Sequence, residues 1–246
     1  MRNIKLTIEY DGKDFNGWQK QPNKLNIQGE IERAIEIITG GEKVDLIASG
    51  RTDAGVNALG QVANFRTEST MPIEKMAYAI NSQLKKAIRV QKAEEVDEKF
   101  HSRYTCKKKT YRYTINNSEQ GSAIFRYMQY HYPVKLDENK MNEGVKYLIG
   151  EHDFKSFKAS GTSSKSSVRV IYDAKVWREG DLIHIELTGN GFLYNMIRII
   201  AGTLIEVGEG AIEPAEVKAI LEAKDRSRAG KTVSPSGLCL MGVEYE

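Results

Sequence analysis

Residues 3–9 read NIKLTIE, a stretch in which every second side chain is apolar. This alternation predicts a strand with one buried face. Residues 26–41 follow as NIQGEIERAIEIITGG, where a capping asparagine, apolar side chains at helical spacing and two closing glycines predict a helix. Beyond it, similar patterns predict two strands, a second helix and a further strand, at residues 43–48, 61–66, 72–84 and 88–96. The resulting order, β-α-β-β-α-β, is that of a ferredoxin-like domain.

The second half of the chain, from about Lys107, mixes strands and helices in the same way. The patterns predict five strands and three helices, at residues 109–115, 127–134, 168–178, 181–188 and 238–245, and at 137–149, 192–207 and 214–223. The pair Glu179-Gly180 predicts a hairpin turn. We therefore expect an α+β fold with two domains, residues 1–106 and 107–246, whose antiparallel sheets flank an active-site cleft.

The composition is that of an ordinary soluble protein. Of the 246 residues, 40% are hydrophobic and 28% are charged, and no apolar run reaches the length of a membrane span. The N-terminus enters its first strand without an apolar signal core, so we expect a cytoplasmic location. The two cysteines, Cys106 and Cys239, are too few for a zinc site and fit a reducing compartment.

The net charge of +3 is too small to identify a nucleic-acid partner, but the charge is unevenly distributed. Residues 103–112 read RYTCKKKTYR, in which cations are interleaved with tyrosines, and Tyr113 follows. Cations for phosphates and aromatic rings for bases are what an RNA-binding surface uses. The alternative is a solvated face without a ligand, which charge runs commonly form.

A glycine-framed segment, Ser49–Val56, reads SGRTDAGV and lies between two predicted strands. Its glycines allow a sharp turn and a close approach to a ligand, and they expose Arg51 and Asp53. The alternative is a plain surface turn in which Asp53 bonds its own backbone. Cofactor motifs are incomplete, since AGKT at 229–232 lacks the glycine that opens a phosphate loop and no histidines have metal-ligand spacing. These signals are therefore too weak to indicate a phosphate loop or a metal site.

One cation lies in an otherwise apolar helix. Residues 190–207 read NGFLYNMIRIIAGTLIEV, with Arg198 between two isoleucines. A guanidinium in such a helix is costly unless a carboxylate meets it. Arg198 therefore either extends to solvent or pairs with an acid from elsewhere, for which Asp53 is a candidate. Such a pair would keep Asp53 ionised for nucleophilic or basic catalysis.

Together, these motifs resemble the bacterial tRNA pseudouridine synthases of the TruA family. The resemblance covers nearly the whole chain and rests on six collinear segments: YDGKDFNGWQKQ, GRTDAGV, FHSRYTCKKKTYRY, GEHDFKSF, GFLYNMIR and GLCLMGVEY. It implies an isomerase that converts uridine to pseudouridine at positions 38, 39 and 40 of the tRNA anticodon stem-loop. It also implies the pseudouridine synthase fold, with two ferredoxin-like (RRM-like) halves around a basic cleft, and a homodimer that needs no cofactor.

The resemblance implies roles for four residues at matching positions. Asp53 corresponds to the essential aspartate of the family's GRTDxG motif, and Arg198 corresponds to the arginine paired with it. Tyr111, the first tyrosine of KTYRY, corresponds to the residue that stacks on the target base. Arg51 corresponds to an arginine that helps to extrude the target nucleotide.

Two positions depart from the family pattern. Family members often have histidine where this chain has Asn57 and Asn195. Neither position is that of the implied nucleophile, so we expect the core chemistry to survive. RNA contacts or site selectivity are expected to differ, as in a divergent paralogue.

Two other functions fit parts of the sequence. A non-catalytic RNA-binding module also uses ferredoxin-like halves, but the strands lack the RRM aromatic signature and a buried Arg–Asp pair has no purpose in a passive binder. A carboxylate-based nucleoside hydrolase needs a second catalytic acid, and no other Asp or Glu shares the loop of Asp53. Both functions are therefore less consistent with the sequence than a synthase.

Overall fold

The computed structural model describes residues 1–161 and 166–245, which form two compact units. One unit comprises Met1–Lys107 together with Leu240–Glu246, and the other comprises Lys108–Cys239. Both units combine helices with mostly antiparallel strands. The chain therefore has the mixed α+β fold that its sequence predicts.

The first unit contains a strand, a helix, two strands, a helix and a strand, in the predicted order. These elements are β1 (Arg2–Tyr10), α1 (Ile27–Ile38), β2 (Ile47–Ala48), β3 (Asn57–Thr67), α2 (Ile73–Gln83) and β4 (Ile88–Val96). Strand β1 is antiparallel to β3 on one side and to β4 on the other, and β2 pairs with β3. In β1, Ile4, Leu6 and Ile8 are fully buried, as their alternation predicts.

Helix α1 has the two ends that the sequence predicts. The side chain of Asn26 accepts a hydrogen bond from the backbone amide of Gly29 at 2.8 Å. At the other end, Gly40 and Gly41 have φ values of +75° and +107°, which residues with a side chain rarely adopt. Local signals are therefore sufficient to place this helix.

Strand β2 is shorter than the strand predicted at 43–48. The backbone of Leu46 is bound by side chains of α1: its amide donates to Glu32 at 3.2 Å, and its carbonyl accepts from Gln28 at 3.3 Å. These side chains satisfy the backbone groups that a strand ladder would otherwise use. Strand pairing consequently begins only at Ile47.

The second unit is longer and has a different order of elements. These elements are β5 (Lys108–Asn116), β6 (Tyr130–His131), α3 (Glu138–Lys146), β7 (Gly150–Asp153), β8 (Val168–Glu179), β9 (Leu182–Gly189), α4 (Met196–Gly208) and α5 (Glu216–Ala223). Strand β9 lies between β5 and β8 and is antiparallel to both, β7 pairs with β8, and β6 is parallel to β5. The predicted hairpin joins β8 to β9, with Gly180 at φ +59°.

Helix α4 is buried along nearly its whole length, which agrees with its apolar sequence. It spans 13 residues. Neither α4 nor any other helix in the described part of the chain is long and apolar enough to cross a membrane.

Two predicted elements of this unit are wrong in extent. The strand expected at 127–134 is reduced to Tyr130–His131, because the residues before it form turns instead of extended backbone. The helix expected at 192–207 begins only at Met196. Asn195 has φ +59°, a left-handed conformation that a right-handed helix cannot include.

The last strand, β10 (Leu238–Glu244), pairs with β3 of the first unit. The amide of Lys107 donates to the carbonyl of Glu244 at 2.9 Å, and the hydroxyl of Tyr245 donates to the carbonyl of Ser102 at 2.9 Å. These contacts explain why the C-terminal residues group with the first unit, whereas the sequence-based boundaries keep them in the second domain. The two-domain division itself stays a prediction.

Candidate active site

The loop that contains Asp53 connects β2 to β3 in the first unit. Asp53 is half-buried, while its neighbours Arg51 and Ala54 are exposed. The carbonyl of Asp53 accepts a hydrogen bond from the amide of Val56 at 3.2 Å, and Gly55 between them has φ +77°. A glycine therefore makes this tight turn possible, and Asp53 keeps part of its surface exposed on it.

The segment that follows β1 packs closely on this loop. The amide of Trp18 donates to the carbonyl of Thr52 at 3.0 Å. Gly17 has φ +80°, and a side-chain carbon there would lie 2.6 Å from the same carbonyl oxygen. At Gly12, such a carbon would lie 2.1 Å from the carbonyl oxygen of Val56. Both glycines are required by this backbone approach, which holds the loop in place.

Asn57, one of the two departures from the family pattern, lies at the start of β3. Its side-chain oxygen accepts a hydrogen bond from the amide of Gly12 at 2.9 Å. Only 8% of Asn57 is exposed. The asparagine therefore joins the end of the Asp53 loop to the segment that follows β1.

Arg51 is the exposed cation beside Asp53. Its Nη1 donates a hydrogen bond to Oε1 of Gln19 at 2.7 Å. Because both side chains are exposed, a polar ligand can replace this bond at little cost. Arg51 is therefore accessible to an anionic ligand.

In the second unit, Tyr111 lies near the middle of β5, opposite Leu187 of β9. Its ring meets that of Phe192 edge to face, with centroids 5.2 Å apart and ring planes at 83°. This is a favourable arrangement of two aromatic rings, and it orients the Tyr111 ring. Only 9% of Tyr111 is exposed, so a stacked base would contact a small part of its surface.

Strand alternation divides the basic run between two faces of β5. Tyr111 and Tyr113 are buried, whereas Arg112 between them points to the other face. Arg112 donates two hydrogen bonds to Glu186, at 2.9 Å from Nε and 2.7 Å from Nη2, and its guanidinium lies 5.1 Å from the centre of the Trp177 ring. This cation is therefore bound within its own unit.

Glu186 is the anion at the centre of this face. Lys175 places its Nζ 3.0 Å from Oε1 of Glu186, while Arg112 holds Oε2. Burial acts to raise the pKa of Glu186, but the hydrogen bonds from Lys175 and Arg112 outweigh burial and leave that pKa below its usual value. The single charge of Glu186 is thus shared by two cations, Arg112 and Lys175.

Tyr113 is a core residue. It has no exposed surface, and its hydroxyl donates to the carbonyl of Ser234 at 2.8 Å. Burial and the neighbouring Tyr130 raise the pKa of this hydroxyl well above its usual value, while the charge of Arg198 acts in the opposite direction. The interpretation of Tyr113 as a ring for base stacking is therefore wrong, because no face of the ring is accessible.

Arg198 lies in the first turn of α4 and is half-buried. Its Nε donates to the carbonyl of Val233 at 2.7 Å, and its Nη1 donates to Oδ1 of Asn195 at 2.8 Å. Asparagine is one of the few residue types that tolerate the left-handed conformation found at Asn195. Asn195 thus ends the preceding loop and orients the guanidinium. The pairing of Arg198 with Asp53 would join the two units and stays a prediction.

A family model described as tRNA pseudouridine synthase matches residues 6–105 and 145–246. The chain belongs to the tRNA pseudouridine synthase family. It is 53% identical to the tRNA pseudouridine synthase A of Caldicellulosiruptor saccharolyticus, 51% to that of Acetivibrio thermocellus and 49% to that of Clostridium acetobutylicum. Each match extends over 245 residues and covers 100% of both chains.

The sequence patterns did not predict which residues contact and orient the candidate site residues. Gly17 and Trp18 bind the loop of Asp53, Phe192 contacts Tyr111, and Asn195 binds a guanidinium. All four lie in segments that carry the family resemblance, and only Asn195 was singled out there, as a departure from the family pattern. The available signal was the pair of glycines five residues apart after β1, which is typical of a close backbone approach.

The candidate side chains of the first unit are a carboxylate and a guanidinium, and those of the second unit are a guanidinium and a phenol ring. A carboxylate serves in nucleophilic or acid–base catalysis, guanidiniums bind phosphates, and aromatic rings stack on bases. Across residues 1–161 and 166–245, no group of three or more His, Cys, Asp and Glu side chains has the arrangement of a metal site. The groups present suit a reaction on a nucleotide of RNA.

Proposed function

We propose that this chain is a tRNA pseudouridine synthase that isomerises uridine at positions 38, 39 and 40 of the anticodon stem-loop, in the cytoplasm, as a homodimer and without a cofactor. The name shared by relatives at 49–53% identity supports the tRNA substrate. The observation that carries the proposal is the half-buried Asp53 on a turn that two glycines and Trp18 hold in place. We further propose that the two units are ferredoxin-like halves whose sheets flank a basic cleft.

Four side chains have proposed roles in this reaction. Asp53 is the catalytic carboxylate, since it is half-buried on a loop held by close backbone packing. Arg198, which Asn195 orients, pairs with Asp53 and keeps it ionised. Tyr111 stacks on the target base, and Arg51, the exposed cation next to Asp53, helps to extrude the nucleotide.

The proposed reaction is an isomerisation without a change of oxidation state. The bond between uracil N1 and ribose C1′ breaks, a bond between C5 and C1′ forms, the C5 hydrogen leaves as a proton, and N1 gains one. The target base must first leave the helical stack, which costs a few kcal/mol. Asp53 assists cleavage of the glycosidic bond either by adding to the ring or sugar, or by abstracting a sugar proton to form a glycal. Both routes require an ionised carboxylate.

A tritium-release assay tests the proposal. The substrate is tRNA with tritium at C5 of uridine, and the products are tritiated water and any free uracil. A synthase releases the C5 tritium and no free uracil. Asp53→Asn should abolish release while tRNA affinity stays within about threefold, because the change is isosteric and removes only charge. Asp45→Asn, at an exposed aspartate just before β2, is the matched control and should retain the full rate.

The same assay separates the two rival functions. A nucleoside hydrolase would release free uracil, and an RNA-binding module would bind the tRNA without releasing either product. Release of tritium at an unchanged rate by Asp53→Asn would show instead that another group carries the chemistry.

A further inference from the structure

Gln61 lies on β3 and has no exposed surface. Its Oε1 accepts a hydrogen bond from the hydroxyl of Ser49 at 2.7 Å, and its Nε2 donates to the carbonyl of Gly50 at 3.0 Å. The same Nε2 lies 3.5 Å from the hydroxyl of Tyr10. A buried primary amide with partners at both its oxygen and its nitrogen has a defined orientation, because its donor and acceptor ends cannot be exchanged.

Tyr10 extends this network to the residue before Asp53. The hydroxyls of Tyr10 and Thr52 lie 2.7 Å apart, and both residues are buried. The carbonyl of Thr52 is bound in addition by the amide of Trp18 at 3.0 Å. Thr52 is therefore held through its side chain and its backbone, so the direction of the chain at Asp53 is set from inside the unit.

We propose that Gln61 and Tyr10 are positioning residues for the reaction, which hold residues 49–52 through buried hydrogen bonds and thereby aim the carboxylate of Asp53. This inference rests on the proposed function, in which Asp53 acts on the target nucleotide. An apolar side chain in place of Gln61 would fill the space but would not orient the Gly50 carbonyl. Such orientation matters because a misplacement of about 1 Å in a catalytic group can lower a rate about 100-fold.

Strand β3 contains a matched control in Asn64. Asn64 is 4% exposed, and its Nδ2 donates to Oδ1 of Asn3 at 2.9 Å. Its Oδ1 accepts from the amide of Ser102 at 2.9 Å and from the hydroxyl of Ser102 at 2.7 Å. None of these partners belongs to the loop of Asp53. A change at Asn64 therefore disturbs a buried amide of the same strand without touching that loop.

The experiment compares Gln61→Glu with Asn64→Asp in the full-length chain, using an anticodon stem-loop RNA. Each change replaces an amide by an acid of the same shape. An ionised Glu at position 61 has no donor for the Gly50 carbonyl, whereas a protonated one regains a donor. For Gln61→Glu we expect a single-turnover rate about 10- to 100-fold below wild type near neutral pH, with RNA affinity within about threefold. Because burial favours the protonated acid, this deficit should shrink as the pH is lowered.

Asn64→Asp should melt at a lower temperature and keep the wild-type single-turnover rate in its folded fraction.

Tyr10→Phe removes one hydroxyl from the network and should slow the reaction by a smaller factor than Gln61→Glu does, with the pH dependence of wild type. If Gln61→Glu does not fold, Tyr10→Phe tests the positioning role instead, because a wild-type rate in Tyr10→Phe would then overturn the proposal.

Equal rate losses in Gln61→Glu and Asn64→Asp would overturn the positioning role, and so would an unchanged rate in Gln61→Glu. Failure of the proposed function has a different signature. In that case Asp53→Asn would still form pseudouridine, or the wild-type chain would form none, whatever the variants at Gln61 do.

Discussion

The basic run at the start of β5 provides a test of RNA binding, because strand alternation separates Lys108 from Lys109. Lys109 pairs with Gly189 in the β5–β9 ladder and shares its face with Tyr111. Lys108 lies on the opposite face, where its Nζ is 5.8 Å from the centre of the Tyr172 ring. We therefore expect Lys109, and not Lys108, to contact a phosphate of an RNA whose target base stacks on Tyr111.

The magnitude follows from how many RNA phosphates each variant can no longer neutralise. Each phosphate contact removed flattens the dependence of log affinity on log salt by about 0.7–0.9. Lys109→Ala should therefore lose about 0.7–0.9 of slope, and Lys108→Ala should lose none. Lys107 is exposed. The variant in which Lys107, Lys108 and Lys109 are all replaced by alanine should therefore lose about one or two units of this slope. Chemistry on bound RNA should change little, because phosphate contacts position the RNA and do not act on the base.

The assay measures the Kd of an anticodon stem-loop RNA at several salt concentrations, together with the single-turnover rate at saturating RNA. Equal slope losses in Lys108→Ala and Lys109→Ala would refute the assignment of the two lysines to different faces. An unchanged slope in the triple variant would show that the run is a solvated strand edge, and solubility alone should then fall.

The remaining predictions concern four residues of the second unit. Tyr111→Phe should cost less activity than Tyr111→Ala, because base–aromatic stacking is worth roughly 1–3 kcal/mol, and equal losses in kcat/KM would assign the role to the hydroxyl. Arg198→Met should lower activity and move the pH–rate profile to higher pH, since Asp53 would lose a cation; an unmoved profile would contradict the pairing. Asn195→Gly should retain thermal stability but lose rate, whereas Asn195→Ala should also lose about 1 kcal/mol of stability, because only the alanine is strained at φ +59°. Glu186 has a lowered pKa in the folded state, so its contribution to stability is present above the usual carboxyl range and is lost as the pH falls through the folded pKa. Glu186→Gln should therefore flatten the acid side of a melting-temperature profile, and an unchanged acid side would refute this role.

The elements that the sequence predicts well are those set by local signals. Asn26 caps α1, Gly40 and Gly41 end it, and Gly180 forms the turn between β8 and β9. Elements that depend on distant contacts were predicted less well. Strand β2 is short because side chains of α1 take the backbone hydrogen bonds of Leu46, which no strand pattern reveals.

The candidate site shows the same division. The glycine-framed loop of Asp53 is visible in the sequence, because a Gly-rich segment between two strand patterns indicates a turn with exposed side chains. Its support is not visible, since Tyr10 lies far from Asp53 in the chain and Gln61 lies within the next strand, and both meet the loop only in the folded unit. Tyr113 was predicted to be one of the rings that stack on bases, but it lies in the core. The composition of a segment alone cannot distinguish a buried ring from one that faces a ligand.

Mapping pseudouridine at single-nucleotide resolution tests the central claim most directly. The tRNA is taken from a strain that lacks its own enzyme for the anticodon stem-loop and expresses either the wild-type chain or Asp53→Asn at equal levels. The account predicts pseudouridine at positions 38, 39 and 40 with the wild-type chain and unmodified uridine at all three with Asp53→Asn. Pseudouridine at these positions with Asp53→Asn, or its absence with the wild-type chain, would contradict the account.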